Sequence, residues 1–563
     1  MRVLLVVPRF NMSSVYDMEF PLGLAYISAV LKKAGHDVQV LNFNIVKGDI
    51  ESEFARCATT FDPQLVGTGG LSPQYQSVQQ VSSAAAKVFK RAVQVVGGSV
   101  ISGDPLPALS ILDCDFGVLG EGENTIVELA SLIEQGAEKA DMADVAGLVF
   151  QNQNGEIIFT EARAPIENLD NIPLPDYEGF GFKEYVDDQC ANVMYLYQLD
   201  TPRAGLILTS RSCPFSCSFC FHPLGKKFRV RNLDSCFEEI NMLQDKYSIN
   251  IIAIQDELFS TNKTRVMEFC RRIQPMNLKW STPLRVNGLD KEMVQAMKES
   301  GCFCVPMGIE SMHGSILKSM RKQTTPEDIE SALALVHNAG LNIAGNFIFG
   351  DTAETAETVE ESISFWKAHP EYNISLRFIT PYPGTELYKK AVLTGRISSP
   401  SEYLSSGCPI VNMTEMSDDD FVSLLVKVWG DHVNPLYHLK AKDVSCRKSE
   451  ENETDKDCYV IEFVCPSCLA RNHYAGFTVT STMIHGCIPT ICCRHCNQKM
   501  LLFDYPQSAC SENLQKMLLD DIVLWNLYNE WIRVQKFTEK EWLQRMRGYL
   551  DKRLLSGRID DEA

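Results

Sequence analysis

The sequence predicts an α/β protein that begins with a doubly wound, Rossmann-like domain, continues with a partial (β/α)6 barrel, and ends with a small cysteine-rich module and C-terminal helices. Three observations predict this order. Short apolar runs alternate with helical patterns over residues 1–140, six strand-then-helix units follow over residues 201–395, and paired cysteines occupy residues 458–505. Buried parallel strands have continuous apolar sequences, and their regular alternation with helices is typical of α/β domains.

The first domain has its glycines where predicted strands end. Its apolar segments are VLLVVP, PLGLAYISAVLKKAG, DVQVLNF, QLVGTGG, AVQVVGGS and FGVLGEGENTIVELASLI. The turns hold Gly69 and Gly70, Gly97 and Gly98, and Gly120 with Glu121. Ligands of such sheets bind at this edge, where glycine allows close backbone approach, although the same glycines also fit purely structural turns. No GxGxxG follows the first strand, which argues against a dinucleotide.

A linker is predicted over residues 141–200, because NLDNIPLPDYEGF combines prolines and aspartates that suit an extended connector. The barrel strands that follow are GLILTS, INIIAIQDE, LKWSTPLRV, CFCVPMGIES, NIAGNFIFG and ISLRFITP. A helix such as TPEDIESALALVHNAG, which opens with Thr-Pro and closes on Gly, separates consecutive strands. Such a barrel places its site at the C-terminal strand ends.

The remaining chain divides into three parts. Residues 396–457 are predicted as a helical connector containing SDDDFVSLLVKVW, residues 458–505 as a zinc-ribbon-like module, and residues 506–563 as a helical segment. Apolar residues at helical spacing in that last segment indicate a packing helix.

Composition limits the function classes. The chain has 563 residues, a net charge of −19 and no long Lys/Arg block, which argues against nucleic-acid coating. No run approaches the roughly 20 apolar residues of a membrane span, and the N-terminus lacks the pattern of an export signal, so we expect a cytoplasmic protein. Its 20 cysteines are spread over a long chain, which favours metal ligation and burial over disulfides.

Three cysteines follow the first barrel strand. In SRSCPFSCSFCF they are Cys213, Cys217 and Cys220, with the spacing C-x3-C-x2-C. Thiolates are the usual ligands of iron–sulfur clusters, which normally take four. Three cysteines leave one iron free to bind a small molecule.

This triplet resembles that of radical S-adenosylmethionine (SAM) enzymes, including an aromatic residue, Phe219, before the last cysteine. GIES (308–311), GNFIFGDTAET (345–355) and PYPGTELY (381–388) are similar to motifs of the branch with an N-terminal cobalamin-binding domain. FPLGLAYISAVLKKAGHDV, VVGGS and GVLGEGE in the first domain resemble that branch too. The resemblance covers about residues 1–395.

The resemblance implies a [4Fe-4S] cluster whose open iron chelates SAM, and a 5′-deoxyadenosyl radical formed when an electron cleaves the SAM C–S bond. It places Phe219 at the adenine, Asp256 and Glu257 at the methionine ammonium, and Glu310 or Ser311 at the ribose or methionine. An ammonium group removed from water needs a hydrogen-bonding anion or carbonyl nearby. Strand-end acids that only cap the following helix are the alternative.

The sequence departs from the family pattern in QDE (255–257), where Gly-Gly-Glu is usual, and in DTAE (351–354), where Pro-Gly is expected. The first domain also lacks the Asp-x-His-x-x-Gly loop that supplies a histidine to cobalt in many cobalamin domains. Its only histidine, His36, is predicted to lie at a helix end. We therefore expect a lower cobalt face without a histidine ligand, which favours release of a methyl group.

The second cysteine group is CPSC (465–468) with CCRHC (492–496). Cys465, Cys468, Cys493 and Cys496 form two C-x2-C pairs, which suit a tetrahedral zinc between two knuckles. Possible substitute ligands nearby are Cys487, Cys492, His473 and His495, and an auxiliary iron–sulfur cluster is the rival to zinc. A closed four-cysteine site leaves no position for catalysis, so its expected role is folding or substrate docking.

The leading functional hypothesis is a cobalamin-dependent radical SAM methyltransferase that acts at an unactivated carbon, or less often at phosphorus. Its substrate is a small molecule, a peptide or a carrier-bound group that Arg285, Arg377 and Tyr382 are placed to face, and flavodoxin or ferredoxin would donate electrons. The alternatives are cyclisation or rearrangement without methyl transfer, and a non-catalytic cobalamin and zinc binding protein. A tRNA methylthiotransferase is disfavoured, because Cys57 and Cys114 are the only cysteines of the first domain.

Overall fold

The structure is a computed structural model that describes residues 1–9, 20–189, 196–432, 435–448, 458–478 and 490–502. The predicted C-terminal helical segment, residues 506–563, and Cys487 lie outside the described residues.

The first domain is built on a seven-stranded sheet whose strand order is β2-β1-β3-β4-β5-β6-β7. The strands are β1 (Arg2–Val7), β2 (Asp37–Asn42), β3 (Leu65–Gly70), β4 (Val93–Gly98), β5 (Phe116–Val118), β6 (Leu148–Gln151) and β7 (Ile157–Phe159). The helices are α1 (Leu22–Lys33), α2 (Ile50–Thr60), α3 (Tyr75–Val88), α4 (Ser99–Ser102), α5 (Pro105–Ile111) and α6 (Glu123–Glu134). Strands β1 to β5 are parallel, as the alternation of apolar runs and helices predicted.

The first sheet extends past the predicted boundary at residue 140. Strands β6 and β7 add an antiparallel hairpin to its edge, so the first part of the predicted linker belongs to the first domain. Helix α7 (Phe182–Asp187) follows, and Phe182 packs edge-on against Phe20 and Tyr177 in the same core. Between β7 and α7 the segment is mostly irregular, with one 3-10 turn at Leu169–Asn171, and residues 196–198 form a turn.

The second domain contains the six predicted strands in one parallel sheet of order β15-β14-β13-β12-β11-β8. These are β8 (Ala204–Ile207), β11 (Ile251–Ile254), β12 (Lys279–Ser281), β13 (Cys302–Glu310), β14 (Asn342–Phe349) and β15 (Ile374–Phe378). A short ribbon of β9 (Ser210–Arg211) and β10 (Arg229–Val230) lies after β8. The helices are α8 (Leu233–Tyr247), α9 (Lys263–Ile273), α10 (Lys291–Glu299), α11 (Gly314–Ser319), α12 (Pro326–Asn338), α13 (Ala356–Ala368) and α14 (Glu386–Leu393).

The connector is helical at first and then joins the cysteine-rich module. Helices α15 (Pro400–Ser405) and α16 (Asp418–His432) form, and Ser417 accepts a hydrogen bond from the Asp420 amide at the start of α16. Strand β16 (Lys442–Lys448) pairs with β17 (Cys458–Val464), which pairs with β18 (Arg471–Thr478). Strands β19 (Thr490–Cys492) and β20 (Lys499–Leu501) form a second hairpin. Residues 442–448 thus belong to the module, not to the connector.

The cysteine-rich module packs against the N-terminal ends of the barrel strands. Ala204, Ile251, Phe303 and Cys304, at or next to the first residues of β8, β11 and β13, share one apolar cluster with Ile461, Phe463, Tyr474 and Ile491 of the module. The module therefore covers the end of the barrel opposite to the C-terminal strand ends. In the described part of the chain no helix has the length and apolar character needed to cross a bilayer.

Candidate active site and metal centre

The three-cysteine loop lies at the C-terminal edge of the barrel. It leaves the sheet after β8, and the antiparallel pairing of Ser210 with Val230 and of Arg211 with Arg229 brings its two ends together. Cys213 and Cys217 are half-buried and Cys220 is exposed. The loop thus presents its thiols at the predicted strand end, where a cluster has access to a small ligand.

The carboxylate of Asp256 holds the start of this loop. It accepts hydrogen bonds from the backbone amides of Thr209 and Ser210 at 2.6 and 3.0 Å, and from their hydroxyl groups at 2.5 and 2.6 Å. Burial raises the pKa of the Asp256 carboxyl, and these hydrogen bonds oppose the shift. Both oxygens are therefore engaged in shaping the loop, and Glu257, about a third exposed, is the carboxylate open to a ligand.

Two thiols of the loop influence each other. A hydrogen bond with Cys220 lowers the pKa of the Cys217 thiol to about 6, and the charges of Lys322 and Arg285 act in the same direction. The pKa of Cys220 is raised by the same hydrogen bond. Positive charge beside the loop favours thiolates, which are the form that binds iron.

Of the other residues assigned to SAM, Glu310 and Ser311 lie at the end of β13 and Phe219 lies in the cysteine loop. Glu310 has a positive φ of 70° and forms a buried ion pair with Lys322 at 2.5 Å. The hydroxyl group of Ser311 lies 3.2 Å from that of Ser362, and Phe219 packs beside an apolar cluster that includes Leu387 and Tyr388. These residues lie near one edge of the barrel, but Glu310 and Ser311 already have protein partners.

Two residues beside the cluster loop carry no role in the sequence-based assignment to SAM. The guanidinium of Arg285 lies 3.6 Å from the ring centroid of Phe215, inside the cysteine loop, and its Nη2 is buried without a hydrogen-bond partner in the described structure. His222 lies 3.4 Å from Glu257 through Nδ1. The sequence indicated only that Arg285 follows a strand, because the stacking partner is about 70 residues away.

The glycine turns of the first domain form an edge without side chains. Gly69 pairs with Gly97 and Gly70 with Gly98 where β3 and β4 end. A Cβ on Gly69 would lie 2.5 Å from the Gly97 carbonyl oxygen, and one on Gly98 would lie 2.6 Å from the Gly70 carbonyl oxygen. A Cβ on Gly97 would meet nothing within 4 Å. Gly69 and Gly98 thus allow β3 and β4 to pack closely, and the space beside Gly97 stays open. This edge therefore fits a flat macrocycle that lies against the backbone.

His36 lies at the opposite end of this sheet. It directly precedes β2, and its Nδ1 is 3.2 Å from the N-terminal amine of Met1. Burial lowers the pKa of its imidazole. The histidine is thus remote from the glycine edge, in agreement with its prediction as a helix-end residue.

Glu121 follows the last of the glycine turns but points toward the barrel. Its carboxylate accepts hydrogen bonds from Arg211 at 2.9 Å, from Arg229 at 2.8 Å and from the Ile166 amide at 2.6 Å. Burial raises the pKa of Glu121, but hydrogen bonds from the two guanidinium groups and the Ile166 amide, together with the charge of Arg211, lower it by a larger amount. The pKa of this carboxyl is therefore below its usual range. Glu121 thus has partners in the second domain, and the cofactor contact that the sequence predicted for it stays a prediction.

The second cysteine group converges on one point. The sulfur atoms of Cys465, Cys468, Cys493 and Cys496 all lie within 4.8 Å of one another. The separations are 3.7 Å between Cys465 and Cys496 and 3.6 Å between Cys468 and Cys493. Four sulfurs placed tetrahedrally about one ion, each at about 2.3 Å, are separated by about 3.8 Å. The donor set therefore fits a single ion.

Polar groups around this centre favour thiolates. Asn472 donates through its side-chain amide to the Cys493 sulfur at 3.3 Å, and the His495 amide donates to the same sulfur at 3.4 Å. Two of the possible substitute ligands have other partners: Cys492 accepts a hydrogen bond from Asn342 at 3.9 Å, and His473 lies 3.2 Å from Glu462. Such donors orient and stabilise metal-bound thiolates.

Two protein-family models match the parts of the chain that contain the three-cysteine loop and the glycine edge. The radical SAM superfamily profile matches residues 207–365, which contain the three-cysteine loop. The B12 binding domain profile matches residues 8–130, which contain the glycine edge.

Several curated proteins are similar over most of the chain. An uncharacterized methyltransferase of Pyrococcus horikoshii is 29% identical over 76% of this chain and 92% of its own length. Anaerobic magnesium-protoporphyrin IX monomethyl ester cyclase of Rubrivivax gelatinosus is 26% identical over 69% of this chain and 70% of its own. Cytidylyl-2-hydroxyethylphosphonate methyltransferase of Streptomyces wedmorensis is 26% identical over 68% of this chain and 80% of its own.

Solved structures show the same fold. The radical SAM methyltransferase TsrM of Kitasatospora setae, solved with cobalamin and a [4Fe-4S] cluster, has a TM-score of 0.58, 20% identity, and coverage of 70% of this chain and 78% of its own. The cobalamin-dependent SAM radical enzyme OxsB has a TM-score of 0.54, 18% identity, and coverage of 76% of this chain and 61% of its own. Because the radical SAM superfamily model matches the part of the chain with the cysteine loop and the B12 binding model matches the part with the glycine edge, the chain carries a B12 binding domain before a radical SAM domain.

Proposed function

We propose that the protein is a cobalamin-dependent radical SAM methyltransferase that methylates an unactivated carbon, or less often a phosphorus atom, of a small molecule, a peptide or a carrier-bound group. The observation that carries the proposal is the approach of the two sites. A Cβ built on Gly120, at the glycine edge, would lie 3.7 Å from the carbonyl oxygen of Pro223 in the cysteine loop. A second approach joins Gly103 and Pro383 at the same edges.

When bound, the cluster with SAM supplies a 5′-deoxyadenosyl radical, and cobalamin supplies the methyl group. Cys213, Cys217 and Cys220 would hold the cluster through three irons, which leaves the fourth iron for the SAM amino and carboxylate groups. Glu257 is the exposed acid placed to meet the SAM ammonium, and the buried Nη2 of Arg285 is placed to meet an anion. Asp256 keeps the loop in shape through its four hydrogen bonds.

Cobalamin would rest on the edge formed by Gly69, Gly70, Gly97, Gly98 and Gly120. His36 is at the far end of the sheet, so in the described part of the first domain no histidine lies at this edge to bind the cobalt. Cobalamin held without a histidine ligand would be suited to supply a methyl group to a substrate radical.

Cyclisation without methyl transfer is the second candidate, since a cyclase is among the similar proteins. The methyltransferase reading is favoured because more of the similar proteins are named as methyltransferases, including bacteriochlorophyllide d C-8(2)-methyltransferase of Chlorobaculum tepidum. A non-catalytic binding protein is disfavoured because the three-cysteine loop is intact and flanked by Lys322 and Arg285.

We further propose that the cysteine-rich module binds a structural zinc ion through Cys465, Cys468, Cys493 and Cys496. The four cysteines of an auxiliary iron–sulfur cluster are divided between two or more irons, so their sulfurs cannot all be as close as the ligands of one ion. Here all four sulfurs lie within 4.8 Å of one another, which favours a single ion. The module packs on the N-terminal ends of the barrel strands. That position supports a role in folding over a role in substrate docking.

The proposed setting is a reducing cytoplasm with flavodoxin or ferredoxin as electron donor. None of the 16 cysteines whose side chains the structure describes forms a disulfide, which is consistent with a setting where thiols stay reduced.

The test has two steps. Protein purified without oxygen from cells supplied with cobalamin is expected to carry about one cobalamin per chain by mass spectrometry of the released cofactor, and to cleave SAM to 5′-deoxyadenosine after reduction. Cys217→Ala is expected to abolish cleavage, while Cys114→Ala, a half-buried cysteine in the first domain, retains it. Retained cleavage in Cys217→Ala would refute the enzymatic proposal, and absence of cobalamin would refute its methyl-transfer part.

A further inference from the structure

A carboxylate of the first domain is buried between two arginines of the second. Side-chain exposure is 4% for Glu121, 7% for Arg211 and 3% for Arg229. Arg211 also pairs with Glu123 at 2.6 Å, so two acids of the GEGE turn meet two arginines. Buried charges are costly unless they are paired and hydrogen-bonded, and this group satisfies both conditions.

The two arginines mark the two ends of the cysteine loop. Arg211 is two residues before Cys213 and Arg229 is nine residues after Cys220, and these arginines face each other in the β9–β10 pairing. Arg229 also donates to the hydroxyl group of Ser212 at 3.3 Å, and Ser212 donates to the Leu224 carbonyl oxygen at 3.2 Å. The Arg229 side chain, which pairs with Glu121, therefore also helps to hold the two ends of the cysteine loop together.

The turn that carries Glu121 also forms part of the cobalamin edge. Gly120, with a positive φ of 72°, lies directly before it and faces Pro223 of the cysteine loop. The Gly120 amide donates a hydrogen bond to the hydroxyl group of Ser102. Ser102 is the last residue of α4, the short helix that directly follows Gly97 and Gly98 of β4. The turn at residues 120–123 thus contacts both the glycine edge and the two arginines at the ends of the cysteine loop.

We propose that Glu121 is a positioning residue that fixes the cluster loop relative to the cobalamin edge, and so sets the separation of the two cofactors. The effect on the distance between the cofactors rests on the proposed function. The effect on the conformation of the cysteine loop does not. Glu121 does not act on SAM or cobalamin directly, because both carboxylate oxygens are used by Arg211, Arg229 and Ile166.

Removal of one partner from a buried ion pair leaves an uncompensated charge, which is more costly than loss of an exposed pair. Glu121→Gln keeps the size of the side chain and one acceptor but leaves Arg211 and Arg229 with less negative charge. Glu121→Asp keeps the charge and shortens the reach by one methylene group. The second variant covers the case in which the first fails to fold.

Hydrogen exchange of backbone amides tests the loop in the reconstituted holoenzyme. Exchange within residues 212–224 is expected to rise by about tenfold or more in Glu121→Gln or Glu121→Asp, since an opening made easier by about 1.4 kcal/mol is a tenfold change. The matched control is Asp176→Asn, which removes a carboxylate that joins the linker to Lys32 and Ser28 of α1 at 2.6 Å each. Asp176→Asn is expected to leave exchange in residues 212–224 unchanged.

The magnetic interaction between the paramagnetic forms of the cluster and of cobalamin tests the separation. Glu121→Gln is expected to broaden the distribution of distances in a pulsed electron paramagnetic resonance measurement, and Asp176→Asn is not. Unchanged exchange in both Glu121 variants, or an equal rise in Asp176→Asn, overturns the inference. A wild-type protein without cobalamin refutes the proposed function, while the exchange result still decides the role of Glu121.

Discussion

The side-chain amide of Asn497 donates a hydrogen bond to the backbone carbonyl of Gly340 at 2.7 Å, which joins a metal knuckle to the turn before β14. Asn497 directly follows Cys496, has a positive φ of 64°, and also accepts a hydrogen bond from the hydroxyl group of Tyr197 at 3.0 Å. The conformation of the knuckle depends on its cysteines, so the contact with the barrel depends on them too.

Loss of the proposed zinc ion is therefore expected to weaken the barrel. Cys468→Ser should lower the zinc content and the unfolding temperature by roughly 5–10 °C, because a structural metal contributes directly to folding. The control is Cys446→Ser, a half-buried cysteine of β16 outside the four-sulfur centre. Metal analysis and calorimetry measure both effects, and an unchanged unfolding temperature in metal-depleted protein would mean that the module folds independently of the barrel.

Asp256→Ala is expected to reduce cluster occupancy. The change removes the acceptor of four buried hydrogen bonds from Thr209 and Ser210, at about 1–3 kcal/mol for each donor left unsatisfied. Iron content after reconstitution measures the effect, and Asp256→Asn should fall between the alanine variant and the wild type. Full iron content combined with weaker SAM binding would instead support the ammonium contact predicted from the sequence.

Two neighbouring glycines should respond differently to substitution. Gly97→Val should leave the stability of the cofactor-free protein close to that of the wild type but weaken cobalamin binding, because the new side chain enters open space at the cobalamin edge. Gly98→Ala should destabilise the cofactor-free protein by about 1–2 kcal/mol, because Gly98 has φ 86° and the Gly70 carbonyl oxygen is in the way. Calorimetry and cobalamin titration separate the two effects; equal cobalamin affinity in Gly97→Val would place the cofactor elsewhere.

Glu354 is expected to make stability depend on pH. Burial raises its pKa to about 7, so the folded state favours the protonated form. The contribution is fully present below the unfolded pKa, near 4.5, and is lost as pH rises through 7, by up to about 3 kcal/mol. Glu354→Gln keeps an acceptor for the Gly350 amide and should flatten the unfolding temperature between pH 5 and 8. An unchanged slope in this variant would assign the dependence to another group.

Much of the fold follows from local pattern. The six barrel strands and the parallel strands of the first domain were predicted because each is a continuous apolar run between helices. Strands β6 and β7 carried a usable signal, since Asn154-Gly155 lies between two apolar runs, as in many hairpins. Strand β16, KDVSCRK, has no apolar run, so its place in the module depends on pairing with β17.

The sequence predicted the candidate metal ligands of the site, but not the hydrogen bonds and ion pairs that support them. Cysteine spacing predicted both groups of candidate metal ligands, because the cysteines of each knuckle or loop are close in sequence. Glu121 was visible as an acid beside glycines, but its partners Arg211 and Arg229 are 90 and 108 residues away. Asp256 was likewise placed at the correct strand end, while its bonds to Thr209 and Ser210 span nearly 50 residues. Such pairings exist only once the domains have packed.

The position of the module also has a consequence for biogenesis. The last barrel strand ends at Phe378, whereas the final ligand of the module is Cys496, so the lower end of the barrel stays uncovered on the ribosome until more than 100 further residues have been made. Exposed apolar strand ends in such an intermediate invite misassembly. The three-cysteine loop and the four-cysteine centre lie at opposite ends of one barrel, so the proposed zinc ion would complete the cover of the N-terminal strand ends without contact with the iron–sulfur site.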